Sequence, residues 1–274
     1  MADDFDSLRE DPDPVRRGKR ATDLLAVYQQ RSAELARLRR AAIEEARDLL
    51  GGSYTEVAKA FGLTKGRITQ IRSSAPPEHR AFFGVGPLDL ALPGRLIRER
   101  DALLIASEDD AAGLQLSAQA DKLAFIVNRV VLDPREEWEP AGDAIVVCGP
   151  TSAHIGHRLM GDDPCLRMAI GDNGQWHIVD QDTGQWYLSP LDEEAPVRAD
   201  HAYIARHRWG SRVIVHIAGL HALGSIGAAH YITNAAADLF ADFGDTEFSM
   251  AVTTEFDGLV PKAPKVLVPP RAWA

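Results

Sequence analysis

The chain has 274 residues, 45% of them apolar and 26% charged, an ordinary balance for a globular protein with a real core. Collagen-like, disordered and disulfide-scaffold classes are excluded, and so is a membrane span, because no run of about 18 apolar residues is free of charge. The formal net charge of −10 argues against a nucleic-acid partner, but its distribution reverses that impression. Residues 16–80 hold 14 Lys/Arg against 7 Asp/Glu, whereas residues 81–274 hold 15 against 27. A basic segment joined to an acidic body is the asymmetry of a chain that meets a polyanion at one end.

Residues 1–15 are acidic and proline-bearing. They read as a disordered tail, and without a basic n-region or apolar h-region they do not read as a secretory signal. Cys148 and Cys165 make neither a CxxC pair nor a zinc spacing, so two reduced thiols in a cytoplasmic protein are expected. From Lys19 to Leu50 there is no proline, and apolar residues recur at Leu24, Tyr28, Leu35, Leu38, Ala42, Ala46 and Leu49. These are helical spacings of three, four and seven. Arg31 falls on that face, which predicts two helices or one with a polar notch, ended by Gly51-Gly52 as at a helix C-cap.

Ser53-Tyr54-Thr55-Glu56 then opens a short helix, with Ser53 and Glu56 spaced as a capping box. Val57, Ala58 and Phe61 give its inner face, Gly62 permits a sharp turn, and Leu63 plugs the corner. Thr64 caps the next helix, Lys65 to Arg72, in which Ile68 and Ile71 point inward and Lys65, Arg67, Thr69, Gln70 and Arg72 lie mainly outside. Pro76-Pro77 stops the unit. Two short helices about a glycine turn, the second bearing amide and basic groups, predict a helix-turn-helix over residues 16–80. The string YTEVAKAFGLTKGRITQIR resembles region 4 of sigma-70-family factors and related regulators. That resemblance implies that Lys65, Gly66, Thr69 and Gln70 occupy DNA-facing slots. Gly66 stands where an acidic side chain is common in that family, and Thr69 where arginine is common, so base preference does not transfer. Nothing resembles the polymerase-binding region of a sigma factor. Chemically, Gln70 can pair with an adenine edge, and Lys65 or Arg67 with guanine or phosphate.

Residues 81–274 alternate β-rich and helical runs, which predicts an α/β domain: a Rossmann-like, largely parallel sheet with helices on both faces and a β-hairpin insertion. Strands are expected at 88–92, 102–106, 125–131, 144–148 and 213–218, with 248–254 closing the sheet. Helices are expected from after Ser107-Glu108-Asp109-Asp110 through about Leu123, from His154 to Met160 and from Ala228 to Phe240. The hairpin pairs 175–180 with 185–188 around Thr183-Gly184, and its tryptophans read as packing groups. The runs VVCGP and IVHIAGLHALGSIGAAHY are similar to the domain that follows a like helix-turn-helix in uncharacterised actinobacterial-type proteins, a resemblance that implies no activity.

Ligands of open α/β sheets bind at the C-terminal ends of the strands. Three loops there carry candidate ligand-binding residues: Ser107, Glu108 and Asp109; Gly149, Thr151 and Ser152; and Gly219, His221, Gly224 and Ser225. Thr151, Ser152 and Ser225 suit a phosphate or carboxylate at a helix N-terminus, and Glu108 or Asp109 suits a ribose-like hydroxyl. No GxGxxG, Walker A or GxSxG pattern is present, and His216, His221 and His230 are spaced for no standard metal site. No catalytic residue, cofactor or metal is therefore assigned. The expected function is a sequence-specific DNA-binding transcriptional regulator. Its α/β domain senses a small, nucleotide-like effector or mediates homo-oligomerisation. A nucleotide-processing enzyme or defence effector with an autoregulatory helix-turn-helix stands as the alternative, and a protein-interaction platform as a third reading.

Overall fold

The computed structural model describes residues 2–97, 99–193 and 197–273. The acidic start is not a disordered tail: Ala2–Arg9 forms a helix, α1. Opposite charges hold it to the next helix, α2 (Pro14–Leu49). Asp11 is buried and pairs with Arg16 at 2.7 Å and Arg20 at 3.2 Å, and Phe5 stacks on Tyr28 with ring centroids 5.8 Å apart. Asp13 caps α2 by accepting the amides of Val15 and Arg16, with Pro14 in the first turn, where its missing N–H costs nothing. At ~1.5 Å per residue α2 is about 54 Å long. It is one helix, and the apolar face expected to bury does not: Leu35 is 68% exposed, Leu38 47% and Leu49 86%. The buried positions are Gln30, Arg37 and Ile43.

Two short helices follow, α3 (Tyr54–Ala60) and α4 (Lys65–Ser74), with Gly62 between them at φ +64°, a conformation glycine adopts without strain. Ile43, Val57, Ala58, Ile68 and Ile71 form their common core, flanked by Leu63. Ser53 sits at the N-cap of α3, but its hydroxyl makes no capping hydrogen bond, so the expected capping box does not form. Phe61, expected inside, is exposed.

A 3-10 helix, Glu78–Phe83, leads into the sheet, and here a buried guanidinium ties α2 to the body. Arg80 Nε donates to the Leu123 carbonyl at 3.1 Å. Its Nη2 donates to Gln30 Oε1 at 2.7 Å and to the Val85 carbonyl at 2.8 Å. The guanidinium also lies 3.8 Å from the centroid of Phe125 and 3.7 Å from Glu34. This polar junction, rather than an apolar stripe, is what α2 buries.

The body is mixed α/β. Its main sheet has eight strands: β1 (Leu88–Pro93), β4 (Val127–Leu132), β5 (Asp143–Val147), β9 (Ala199–Trp209), β10 (Arg212–Gly219), β11 (Phe248–Asp257), β12 (Val260–Pro261) and β13 (Lys265–Ala272). The spatial order β4-β1-β5-β10 is parallel throughout. Beyond β10 the sheet turns antiparallel through β9, β11, β12 and β13. The expected largely parallel sheet is thus parallel in one half only, because β9 and β10 form a hairpin, for which antiparallel pairing is required. The run 248–254 does not close the sheet: β11 lies between β9 and β13.

Alternate residues of the parallel strands point to opposite faces. Leu88, Leu90, Leu92, Ile145, Val147, Val215 and Ile217 pack with α5 (Ser107–Lys122) and α7 (Ala222–Phe243). Ala91, Ala144, Val146 and Ile214 pack with α6 (His154–Gly161). The run at 102–106 yields only β3 (Ala102–Leu104), paired with β2 (Arg95–Ile97) in a hairpin outside the main sheet. A second small sheet joins β6 (Leu166–Ile170), β7 (Trp176–Asp180) and β8 (Trp186–Leu188). Among the described residues no helix is long and apolar enough to cross a membrane.

Replacing Arg80 by methionine leaves three buried acceptors without their donor. The expected loss is about 3 kcal/mol or more of unfolding free energy, read from urea denaturation. A loss below about 1 kcal/mol, the scale of an ordinary surface change, would show that the junction is not held by this side chain.

Candidate functional site

The four parallel strands end at one cleft of about 460 Å³, within the range of small-molecule sites. Pro93, Gly94 and Arg95 come from the end of β1, Pro134 from beyond β4, Cys148 to Ser152 from the end of β5, and Gly219 to Ala222 from the end of β10. Asp109 on the first turn of α5, Ser225 on the first turn of α7, and Met168 and Trp176 from the small sheet complete the lining. The chain runs from β1 to β4 on one side and then crosses to β5 on the other. The cleft therefore opens where strand order reverses, which is where such sheets leave a crevice.

Of the ligand-binding candidates named from the sequence, the fold brings together Asp109, Gly149, Thr151, Ser152, Gly219, His221 and Ser225. Ser107, Glu108 and Gly224 lie outside the lining; the Ser107 hydroxyl donates to Glu108 at 2.9 Å on the exposed side of α5. Arg95 and Trp176 were not foreseen as site residues. Arg95 sits in a hairpin that the sequence pattern did not separate from the sheet, and Trp176 read as hairpin packing.

The start of α7 is not an open anion cradle. The Asp200 carboxylate, fully buried on β9, accepts the amides of Gly224 at 2.6 Å and His221 at 3.1 Å, together with its neighbour His201 at 2.9 Å and the Ser189 hydroxyl at 2.6 Å. An internal carboxylate thus occupies the helix terminus where a phosphate was expected. Burial pushes the Asp200 carboxyl up to about 6, against the pull of these donors and of His221. Gly219 serves the same turn: a Cβ there would stand 2.0 Å from the His221 carbonyl oxygen and 2.6 Å from the Ser225 amide nitrogen. At Gly149 the nearest atom to such a Cβ is Ser152 Oγ at 3.8 Å, so the β5–α6 turn is open toward the cleft.

Asp109 contrasts with Asp200. It is 5% exposed, and its carboxylate has no hydrogen-bond or ion-pair partner among the described residues. Burial pushes its carboxyl up to about 6, with the Arg95 charge pulling it down and Glu108 pushing it up. Cys148, buried behind the cleft, is pushed up to about 12 by desolvation, which makes it a poor nucleophile. His216 is buried and its Nε2 bonds the Cys148 carbonyl at 2.9 Å, a structural contact. Burial takes its imidazole down to about 4.

The second candidate surface is α4. Thr64 Oγ1 accepts the Arg67 amide at 3.2 Å and caps the helix. Lys65, Arg67, Thr69 and Gln70 are exposed, while Ile68 and Ile71 are buried. Arg67 Nη1 donates to Gln70 Oε1 at 2.7 Å, which presents the two side chains as one polar pair. Arg72 differs: it is held 2.5 Å from Glu44 on α2 and 4.1 Å over the Tyr54 ring, bracing α4 from inside.

Comparison with protein-family models, curated proteins and solved structures gives no match to this chain. The functional reading therefore rests on the site chemistry.

The two glycines make a paired test. Gly219→Ala forces a methyl into backbone atoms that cannot move aside, and about 3 kcal/mol of stability should be lost. Gly149→Ala should leave the thermal midpoint within a degree or two of the parent. Equal midpoints for the two variants would contradict the structural role given to Gly219.

Proposed function

We propose that the protein is a DNA-binding transcriptional regulator in which α3 and α4 form a helix-turn-helix and α4 is the recognition helix. A Rossmann-like parallel half-sheet binds a small effector in its C-terminal cleft. One observation carries the reading: α4 buries only Ile68 and Ile71 and turns Lys65, Arg67, Thr69 and Gln70 to solvent. The outer face of a surface helix is polar in any case, but in α4 every charged residue is basic. Those groups suit base edges and phosphates in a major groove. Arg72 is not placed at the interface, because Glu44 and Tyr54 already occupy its guanidinium.

A single module of this kind reads one half-site, so the reading includes a second copy of the chain. The exposed seam of α2 fits that partner. Arg31, Leu35, Leu38, Ala42, Glu45 and Leu49, all exposed, follow the alternating four- and three-residue steps of a coiled-coil seam. It lies to one side of the face that meets Arg80. In an antiparallel (head-to-tail) pair in which Leu35 meets the second copy's Leu38, Arg31 falls opposite its Ala42 and within one turn of its Glu45. A parallel pair would set Arg31 against Arg31 and Glu45 against Glu45. Charge pattern therefore favours the head-to-tail arrangement. It would also separate the two α4 helices, as two half-sites require.

Lys65→Ala with Arg67→Ala should weaken duplex binding and flatten the dependence of log affinity on log salt by about one unit per lost phosphate contact, with stability unchanged within about 0.5 kcal/mol. Anisotropy titrations over a range of salt measure this, and an unaltered slope would remove α4 as the DNA-reading element. Leu35→Glu with Leu38→Glu should convert a dimer to a monomer in sedimentation velocity. A parent chain that already sediments as a monomer at the concentrations of the DNA titrations would remove the seam as an interface.

A further inference from the structure

The cleft is lined by a largely buried carboxylate to which no described residue donates. Asp109 is 95% removed from solvent, lines the cleft, and receives no donor from any described residue. A largely buried carboxylate without a protein donor is costly, and what enters the cleft, water or a ligand, has to complete it. Because a carboxylate only accepts, the missing group is a donor: a hydroxyl pair or an amine.

Three further features restrict the class. Arg95 stands at the rim and forms no ion pair among the described residues, so a cation is free to meet an anionic group. The turn from Gly149 through Ser152 carries two hydroxyls and, at Gly149, no Cβ to block approach. It leads into α6, whose N-cap Ala153 offers no side-chain oxygen to the first amides. Trp176, half-buried in the cleft wall, offers a ring face. The volume of about 460 Å³ is far larger than an amino acid or a free phosphate needs, and it suits a ligand with a planar ring, a hydroxylated middle and an anionic end.

We propose that the cleft is a ribonucleotide site in which Asp109 accepts the ribose hydroxyls, Arg95 and the Gly149–Ser152 turn hold the phosphate, and the base lies against Trp176. This deepens the effector-binding half of the function proposed above and rests on it, but it does not depend on DNA binding by α4. Asp109 is thereby a residue kept for a ligand at the expense of the free fold.

The test uses the full chain, equilibrium dialysis against the four common ribonucleoside 5′-monophosphates and their 2′-deoxy counterparts, and thermal melting without nucleotide. At least one ribonucleotide should bind saturably, with its 2′-deoxy form weaker by about tenfold or more, the scale of one lost charge-assisted hydrogen bond. Asp109→Ala should bring the ribonucleotide down to the level of the deoxy form. It should also raise the unliganded melting midpoint by a few degrees, because it removes a buried, unpaired charge. Arg95→Ala, at an exposed position, should weaken both sugar forms by the same factor. A ribose preference that survives in Asp109→Ala, a lowered midpoint for that variant, or no binding of any of the four ribonucleotides would each overturn the proposal. The last result, with salt-dependent DNA binding intact, would leave the regulator reading standing. Loss of DNA binding with ribose-selective binding intact would do the reverse.

Discussion

A guanidinium taken out of water must find acceptors for its N–H groups inside the protein. Arg80 Nε and Nη2 find them on three separate segments: Gln30 of α2, the Val85 carbonyl ahead of β1, and the Leu123 carbonyl at the end of α5, while Nη1 has only the Glu34 charge at 3.7 Å. Burial pulls its guanidinium down to about 10, which still leaves it charged at neutral pH. A second buried guanidinium works beside it. Arg206, on β9, donates to the Ala81, Phe82 and Thr246 carbonyls and pairs with Asp245 at 3.1 Å. The 3-10 helix that joins the N-terminal helices to the sheet is thus fixed from within and from behind. Sliding α2 along this junction would leave a charge buried without partners, a cost of several kcal/mol, so the long helix has one seating.

This seating is at the bottom of the sheet, and the cleft is at the top. Asp143, at the start of β5, accepts the amides of Val85, Gly86 and Val213, gathering the N-terminal ends of three parallel strands beside Arg80. The C-terminal ends of the same strands line the cleft. One element spans the distance. α7 begins at His221 and Ser225 in the cleft wall and ends at Phe243, two residues before the Asp245 that meets Arg206. Continuity of this kind does not by itself transmit a signal. A ligand shifts an arrangement only to the extent that it binds one arrangement more tightly than another. It does mean that a change at the first turn of α7 would reach the same junction that seats α2.

Those elements whose pattern was set by water were legible in the sequence. β1, β5 and β10 are apolar runs buried on both faces, and α5, α6 and the pair α3–α4 follow the helical period. What hid the rest was buried polarity. β9 carries Asp200, His201, Arg206 and His207, all buried, on either side of a run of only four apolar residues, Ala202 to Ala205, although it is central to the sheet. β13 contains Pro269-Pro270, which gives it no strand signature. It is a strand because it lies at an edge, where an absent N–H is tolerated. The face of α2 was misassigned for the same reason. Its leucines are regular enough to suggest a buried stripe, while the residues that meet the body are Gln30, Glu34 and Arg37, whose reason for burial is Arg80, about fifty residues further along. At the cleft, position relative to strand ends was legible, and seven of the ten named residues do line it. Who satisfies whom was not, because the partner of the α7 terminus, Asp200, comes from the hidden strand.

The same contrast distinguishes the two acids of the cleft region. Asp200 and Asp109 are both buried and both pushed up to about 6, so the shift alone does not separate a structural carboxylate from a functional one. Their surroundings do. Asp200 accepts four donors and closes the turn that Gly219 makes possible, so its burial is compensated within the fold. Asp109 receives no donor from the described residues, and the Arg95 charge only partly offsets its burial. As a first-turn acid of α5, Asp109 gains from the helix terminus, but that gain supplies no donor to its oxygens. On that difference rests the assignment of a ligand to Asp109 and of none to Asp200.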